Sequence, residues 1–177
     1  MSNLLNISKE SQILSIEKVS GMSIYNESEM LVKKYFWLLV DKYGFEYYEL
    51  YNFRSNKMLI KVLPGHKTPR IDIIKVGEDP DLFKLNFEWI IKFFHGNLPS
   101  EKHDYLKYDL ETNMIFISQI FRENSQRLID EFDDWWLPVH VFCYRTIEEE
   151  YRNKGQLERF LRTEKYYYDY LKSQGAI

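Results

Sequence analysis

The order of apolar and polar positions along the chain predicts one helix, then strands, then further helices. Asn26 or Ser28 can cap a helix that continues through "MLVKKYFWLLVDKYG" and ends at Gly44. Three runs rich in aromatic and β-branched residues follow, "FEYYELYNF", "KMLIKVL" and "RIDIIKV". The short segments "RSN" and "PGHKTP" between these runs predict hairpin turns, so we expect an antiparallel meander.

The second half of the chain has the apolar spacing of helices. "NFEWIIKFFHG" is predicted as a helix capped by Asn86, and "DLETNMIFISQIFRENSQRLIDEF" as a second one if it is not broken near Asn124. A third covers "DDWWLPVHVFCYRTIEEEYRNKG", where Asp133 or Asp134 can cap and Pro138 would lie in or near the first turn. A fourth covers "QLERFLRTEKYYYDYLKSQG". The fold predicted is α+β: a small antiparallel β-meander of three or more strands packed against an N-terminal helix and several C-terminal helices.

Length and composition favour one domain over residues 1–177. The chain has 177 residues, 45% of them hydrophobic, which suffices for one sizeable core. Residues 1–23 show only weak alternation and are expected to form a loosely tied arm or an edge strand. The start has no signal-like apolar stretch and no segment reaches about 18 apolar residues, so we expect a cytoplasmic protein without a membrane partner.

Several kinds of site are disfavoured by the residues. "VLPGHKTPRIDI" has a single glycine, Gly65, and leads into a strand, whereas a phosphate-binding loop needs more glycines and a following helix. Cys143 is the only cysteine, and no histidine pair has metal-helix spacing, so we expect no disulfide, metal or cofactor. The net charge of -3 and the acids within "RFLRTEKYYYDYLK" argue against nucleic acid. That segment is interpreted as a helix that exposes Tyr166 or Tyr170.

One catalytic alternative stays open. His140 and Cys143 are three positions apart, so they would be neighbours on one helix and a thiolate there could act as a nucleophile. The surrounding "VHVFCY" is apolar, which favours a core thiol, with His140 partly buried or at the surface. The alternative to a binding protein is thus a small enzyme that uses Cys143 with His140, or a carboxylate pair, in a cleft.

A family resemblance is carried by "FWLLVDKYGFEYYELYNFRSNKMLIKVLPGHKTPRIDI". This stretch predicts a helix that ends at "DKYGF", then a strand, a short turn, a second strand and an "RIDI" strand. That order of elements resembles small bacterial immunity proteins of toxin systems, including those of contact-dependent inhibition. The resemblance covers roughly Tyr35 to Val76. It implies a non-catalytic, cytoplasmic protein that binds one cognate toxin domain and occludes it. Such proteins share no common contact motif, so no binding residue is carried over.

The acidic residues supply candidates for partner binding. Anionic side chains would meet the cationic groove of a nuclease-like toxin, and an aromatic anchor would exclude water. Acids beside tryptophans have the mixture of charge and anchor that interfaces favour. The predicted partner-binding residues are Asp79, Asp81, Asp133, Asp134, Trp135, Glu148 and Glu149.

Overall fold

Strands and helices follow the order predicted from the pattern. A computed structural model describes residues 27–48, 50–80, 82–101 and 103–177. The predicted arm or edge strand at residues 1–23 and the possible cap Asn26 lie outside the described residues. In the described part, an N-terminal helix is followed by an antiparallel sheet and then by further helices, which confirms the α+β fold class.

The helical segment before the sheet is interrupted once. Helix α1 covers residues 27–36, Trp37 is a turn residue, and α2 covers Leu38–Tyr43. Gly44 follows with a φ of 68° and donates its N–H to the carbonyl oxygen of Val40. This left-handed conformation is one that glycine adopts without steric cost, so the predicted stop is confirmed.

The sheet contains two more strands than the three predicted runs. Its strands pair antiparallel in chain order and are β1 (Glu46–Tyr48), β2 (Asn52–Arg54), β3 (Met58–Leu63), β4 (Arg70–Lys75) and β5 (Lys84–Asn86). The run predicted as one strand over "FEYYELYNF" is a hairpin of β1 and β2, in which Tyr51 has a φ of 68°. Tyrosine rarely adopts that conformation, so the sequence carries no turn signal there.

The pairing of β3 with β4 determines which faces are buried. Ile60 lies opposite Ile73 and Val62 opposite Ile71, and all four are at most 1% exposed. Along β3 buried residues alternate with half-buried ones, as predicted from the two-residue period of a strand. The helices pack on this apolar face of the sheet, and its inner residues join their core.

The helices after the sheet are longer or more divided than predicted. They are α3 (Phe87–His95), α4 (Leu110–Asp130), α5 (Phe132–Asn153), α6 (Leu157–Thr163) and α7 (Lys165–Ser173), with single 3-10 turns at Pro99–Glu101 and Tyr105–Lys107. The Asn86 side chain caps α3 by accepting a hydrogen bond from the N–H of Glu88 at 2.8 Å, as predicted. Helix α4 continues through Asn124, whereas the predicted last helix divides at Glu164 into α6 and α7. None of the helices in the described ranges is long and apolar enough to cross a membrane.

Helix α5 begins earlier than the sequence predicts. Only Glu131 separates it from α4, so Asp133 and Asp134 lie inside the first turn instead of capping it. Pro138 is six positions beyond Phe132, within the helix and past the first turn. Proline has no N–H, so the helix loses one backbone hydrogen bond and some stability there. Burial of the surrounding residues against other elements offsets this loss.

Two hydrophobic clusters hold the elements together. The main one joins the inner face of the sheet to α1, α2, α3, α4 and the first half of α5. A smaller one is formed by Tyr144, Phe160 and Leu171, where α6 and α7 pack on the second half of α5. Both Trp135 and Trp136 are buried.

Replacing Gly65 by alanine is expected to destabilise the protein more than an ordinary glycine substitution. Gly65 lies in the β3–β4 turn with a φ of 60°, and a Cβ there would be 2.8 Å from the carbonyl oxygen of Thr68. Backbone strain costs about 1 to 3 kcal/mol and the steric clash adds to it. Gly44→Ala is the matched control, because it has a φ of 68° but open space around the Cβ. Equal losses of unfolding free energy for the two variants in urea would contradict this prediction.

Candidate functional site

The acids predicted to bind a partner lie at separate places. Asp133, in the first turn of α5, pairs with Lys57 Nζ at 2.6 Å. The hydrogen bond from Lys57 lowers the pKa of Asp133. Towards the other end of α5, Glu148 pairs with Arg152 at 2.8 Å. Asp79 is exposed in the turn after β4. Two of the predicted acids therefore already have a cationic partner within the chain.

These acids do not form one continuous patch. Fifteen positions separate Asp133 from Glu148. That separation corresponds to about 22 Å along an α-helix. Asp134 and Glu149 are exposed, and within the described ranges neither carboxylate has a hydrogen bond or an ion pair. Asp81 lies outside the described residues.

The predicted anchor Trp135 lies in the core. Its side chain is 3% exposed, and its Nε1–H donates to the carbonyl oxygens of Arg127 and Leu128, both at 3.2 Å. These carbonyl groups belong to the last turns of α4. Because a single residue connects α4 to α5, the start of α5 folds back on α4 and the indole is enclosed. Trp135 therefore stabilises the helix junction and is not accessible to a partner.

Cys143 and His140 are both buried in the middle of α5. The thiol is 8% exposed, and burial raises its pKa to about 12. The core thiol favoured from the sequence is thus confirmed. The prediction for His140 is wrong, because its side chain is 1% exposed. Its Nδ1 is hydrogen-bonded to the hydroxyl group of Tyr167, and its Nε2 has no partner among the described residues.

This arrangement gives the thiol no activation. A nucleophilic cysteine needs a depressed pKa and a base that holds its proton. Here burial raises the pKa of the thiol instead of depressing it. Burial also lowers the pKa of His140 to about 3. In the part of the chain that the structure describes, no group of three or more His, Cys, Asp or Glu side chains could hold a metal ion.

A cleft of about 400 Å³ opens between β5, α5 and the junction of α6 with α7, and we name it the β5–α7 groove. The three residues of β5 form one wall, and the opposite wall comes from Thr163, Glu164, Tyr166 and Tyr167. The remaining lining residues are Leu82, Trp89, Cys143 and Ile147. Most of these side chains are aromatic or aliphatic, so the groove is mainly apolar.

Two large apolar side chains at the groove are exposed to solvent. Leu82 is 48% exposed and Tyr166 is 60% exposed. The ring of Tyr166 stacks on Phe83 with a centroid distance of 5.9 Å and an interplanar angle of 28°. Phe83 is itself buried, so the stacking holds Tyr166 in a defined position. An aromatic side chain that is both held and exposed is suited to act as an anchor for a partner.

Glu164 gives the groove a negative charge. It is half-buried, and among the described residues no Lys, Arg or His nitrogen lies within 4.0 Å of its carboxylate. The pKa of Tyr144 and of Tyr167 is raised by burial first and then by neighbouring groups that include Glu164. A carboxylate without a counter-charge nearby attracts a cation by Coulomb interaction. Lys84 on the opposite wall is exposed.

Sequence reasoning found only part of this groove. It predicted that the last helix would expose Tyr166 or Tyr170, and in the structure Tyr166 is exposed and Tyr170 is half-buried. It did not find Leu82, Glu164 or β5. The division of the last helix at Glu164 has no glycine or proline to signal it, and β5 is only three residues long. The run "LFKLNF" before the Asn86 cap was the one available signal of a strand.

A second polar constellation surrounds Asn113, which is fully buried. Its Nδ2 donates to the carbonyl oxygens of Lys67 at 2.6 Å and of Tyr105 at 2.8 Å. Its Oδ1 must then accept, so Nε2 of His103, at 2.7 Å, carries the proton. The imidazole stacks on Phe116 with a centroid distance of 3.9 Å. These contacts fasten the loop before α4 and the β3–β4 turn to the core, which is a structural role.

The comparisons with known proteins add no relative to this description. No family model matches the chain, and no curated protein or solved structure matches it either. The resemblance to toxin immunity proteins over Tyr35 to Val76 therefore stays a prediction from the sequence.

Acidification is expected to destabilise the protein through His140. Burial lowers its pKa in the folded state from 6.5 to about 3. Between these values the unfolded chain binds a proton that the folded chain does not, so stability falls with decreasing pH by about 1.4 kcal/mol per unit. From pH 7 to pH 5 the expected loss is about 2 kcal/mol, measured by urea unfolding. His140→Gln is the control and should lose less over the same interval; an equal loss would show that other groups are responsible.

Cys143 is expected to react slowly with a thiol reagent in the native protein. Burial raises its pKa to about 12, so the thiolate is scarce at neutral pH. We expect labelling to be at least about tenfold slower than in urea. A Cys143→Ser, Leu161→Cys double variant is the control, because position 161 is 47% exposed and should label rapidly. Rapid native labelling of Cys143 with a depressed pKa would instead support the enzyme alternative.

Proposed function

We propose that this protein is a non-catalytic binding protein and, specifically, a cytoplasmic immunity protein that neutralises a cognate toxin domain by binding and occluding it. The observation that carries the proposal is the β5–α7 groove, with Leu82 and Tyr166 exposed beside the unpaired carboxylate of Glu164. The sequence resemblance over Tyr35 to Val76 supplies the kind of partner.

The groove has the composition of the centre of a protein interface. Such centres are enriched in aromatic side chains, and a few well-positioned anchors contribute most of the binding free energy. Tyr166 is held against Phe83, so little side-chain entropy is lost when a partner covers it. Leu82 adds aliphatic surface at the same cleft, and 48% of it is exposed in the free protein.

Acids next to the groove would assist the encounter with a cationic toxin. Asp79 lies three positions before Leu82, in the turn that leads to β5. The charge of Lys75, at the end of β4, helps to lower the pKa of Asp133, so the two residues are near each other. The turn after β4 and the start of α5 are therefore at the same end of the sheet. Charged side chains at the rim increase association rates more than they increase affinity. Asp79 fits such a rim. Asp133 and Asp134 lie at the start of α5, away from its groove residues Cys143 and Ile147, whereas Glu148 and Glu149 directly follow Ile147.

The enzyme alternative receives less support from the geometry. It needs a reactive thiol beside a base, and the thiol of Cys143 is protonated at neutral pH while the ring of His140 is bonded to Tyr167. Among the candidate carboxylates, Asp133 has a structural explanation in its ion pair with Lys57. Binding by surface complementarity requires none of these groups.

The proposal is tested with the toxin domain encoded next to the gene for this protein. We expect co-expression to restore growth, and the two purified proteins to form a complex measurable by calorimetry. Leu82→Ser and Tyr166→Ala should each weaken the complex at least about tenfold, which is about 1.4 kcal/mol. A neighbouring gene that encodes a large protein with a variable C-terminal domain is the first observation to seek.

Leu161→Ser is the matched control for the apolar substitution. Leu161 is 47% exposed, nearly the same as Leu82, but it does not line the groove. The control variant should bind and protect like the unchanged protein. A toxin domain that binds equally well to all the variants would disprove the groove as the interface, and one that neither binds nor is neutralised would disprove the immunity function.

A further inference from the structure

Among the described strands, β5 is at the edge of the sheet, and the groove lies along the side of β5 that faces away from β4. We propose that the groove binds an extended peptide segment of the partner, which pairs with the outer edge of β5 and places a Lys or Arg side chain on Glu164. This inference rests on the proposed binding function and specifies the chemistry of the segment that enters the groove.

The position of the groove along the strand edge follows from its lining. Lys84, Leu85 and Asn86 are consecutive, so their side chains alternate between the two faces of the sheet. All three nevertheless line the same cleft. A cleft lined by three successive residues of one strand, whose side chains belong to both faces, runs along the edge of that strand. The partner segment would therefore lie where a sixth strand would be added.

The backbone of β5 has hydrogen-bonding groups available to such a segment. Strand order and register show that β5 pairs with β4 on one side, through Ile73 opposite Leu85. Within the described ranges, no backbone group from another element pairs with its other side. Residues of an antiparallel edge strand alternately direct both their N–H and C=O groups inward and outward. At least one residue of β5 therefore presents both groups to the groove.

The side chains that line the groove determine which side chains of the partner segment fit it. Trp89, Cys143 and Ile147 offer apolar surface, which suits an aliphatic or aromatic residue of the segment. Glu164 is half-buried without a counter-charge among the described residues, and a Lys or Arg residue would supply one. Backbone pairing gives affinity in such complexes, and alternate side chains give specificity. The expected motif is an apolar residue with Lys or Arg within two positions.

The edge is also protected against unselective pairing. Strand β5 has only three residues, and the exposed Lys84 lies on it. Short edge strands and edge lysines are means by which proteins prevent sheet-to-sheet aggregation. Residues of the junction between α6 and α7 line the same groove beside this edge.

The test uses a displayed library of random ten-residue peptides panned on the immobilised full-length protein. We expect enriched peptides with an apolar residue and a nearby Lys or Arg. Amide N-methylation at alternate positions of a synthetic peptide should weaken binding at least about tenfold for one set of positions and little for the other. Glu164→Gln should weaken binding about tenfold, and Glu158→Gln, an exposed acid outside the groove, should not.

Two outcomes would overturn the inference. One is that no peptide is enriched on the full-length protein. The other is that enriched peptides have helical apolar spacing and bind equally well after N-methylation, which would identify a helix as the occupant. Amide hydrogen exchange at Lys84–Asn86 in the toxin complex separates the two proposals. A toxin that binds and is neutralised without protecting these amides would leave the immunity function standing and disprove the edge pairing.

Discussion

Burial of α5 in both hydrophobic clusters is the constraint on which the other elements depend. Its first half packs under the sheet and against α3 and α4, with Trp135 and Val139 in the main cluster. Its second half carries Tyr144 into the smaller cluster, which holds α6 and α7. The buried positions of α5 recur every three or four residues from Phe132 to Tyr144, so one continuous stripe of the helix serves both clusters. The positions of all its neighbouring helices are therefore set by α5.

The same burial explains why the reactive residue types of α5 have structural roles. His140 and Cys143 lie where the helix meets the sheet and α7, and the removal of water favours their neutral forms. The neutral imidazole then makes its hydrogen bond to Tyr167 and helps to hold α7 against α5. Close packing of α5 thus gives stability at the expense of reactivity.

The groove arises where this packing ends. Helices α6 and α7 cover the smaller cluster but leave the outer edge of β5 open, and the division at Glu164 places a carboxylate in the gap. Within the described residues, the surface there combines exposed apolar side chains, a carboxylate without a counter-charge and a strand edge without a pairing partner. The predicted acids at the ends of α5 are more dispersed, and Asp133 and Glu148 are engaged in ion pairs of the kind that contribute little to stability.

The sequence by itself determined the fold class, the pairing of β3 with β4, and the helix ends at Gly44 and Asn86, because these depend on local periodicity and on caps. It also determined that Cys143 is in the core, since its neighbours are apolar. Only the tertiary structure decided that Trp135 and His140 are enclosed, that the predicted acids are separated, and that β5, Leu82 and Glu164 meet at one cleft. These facts depend on contacts between residues far apart in the chain, which no local pattern encodes.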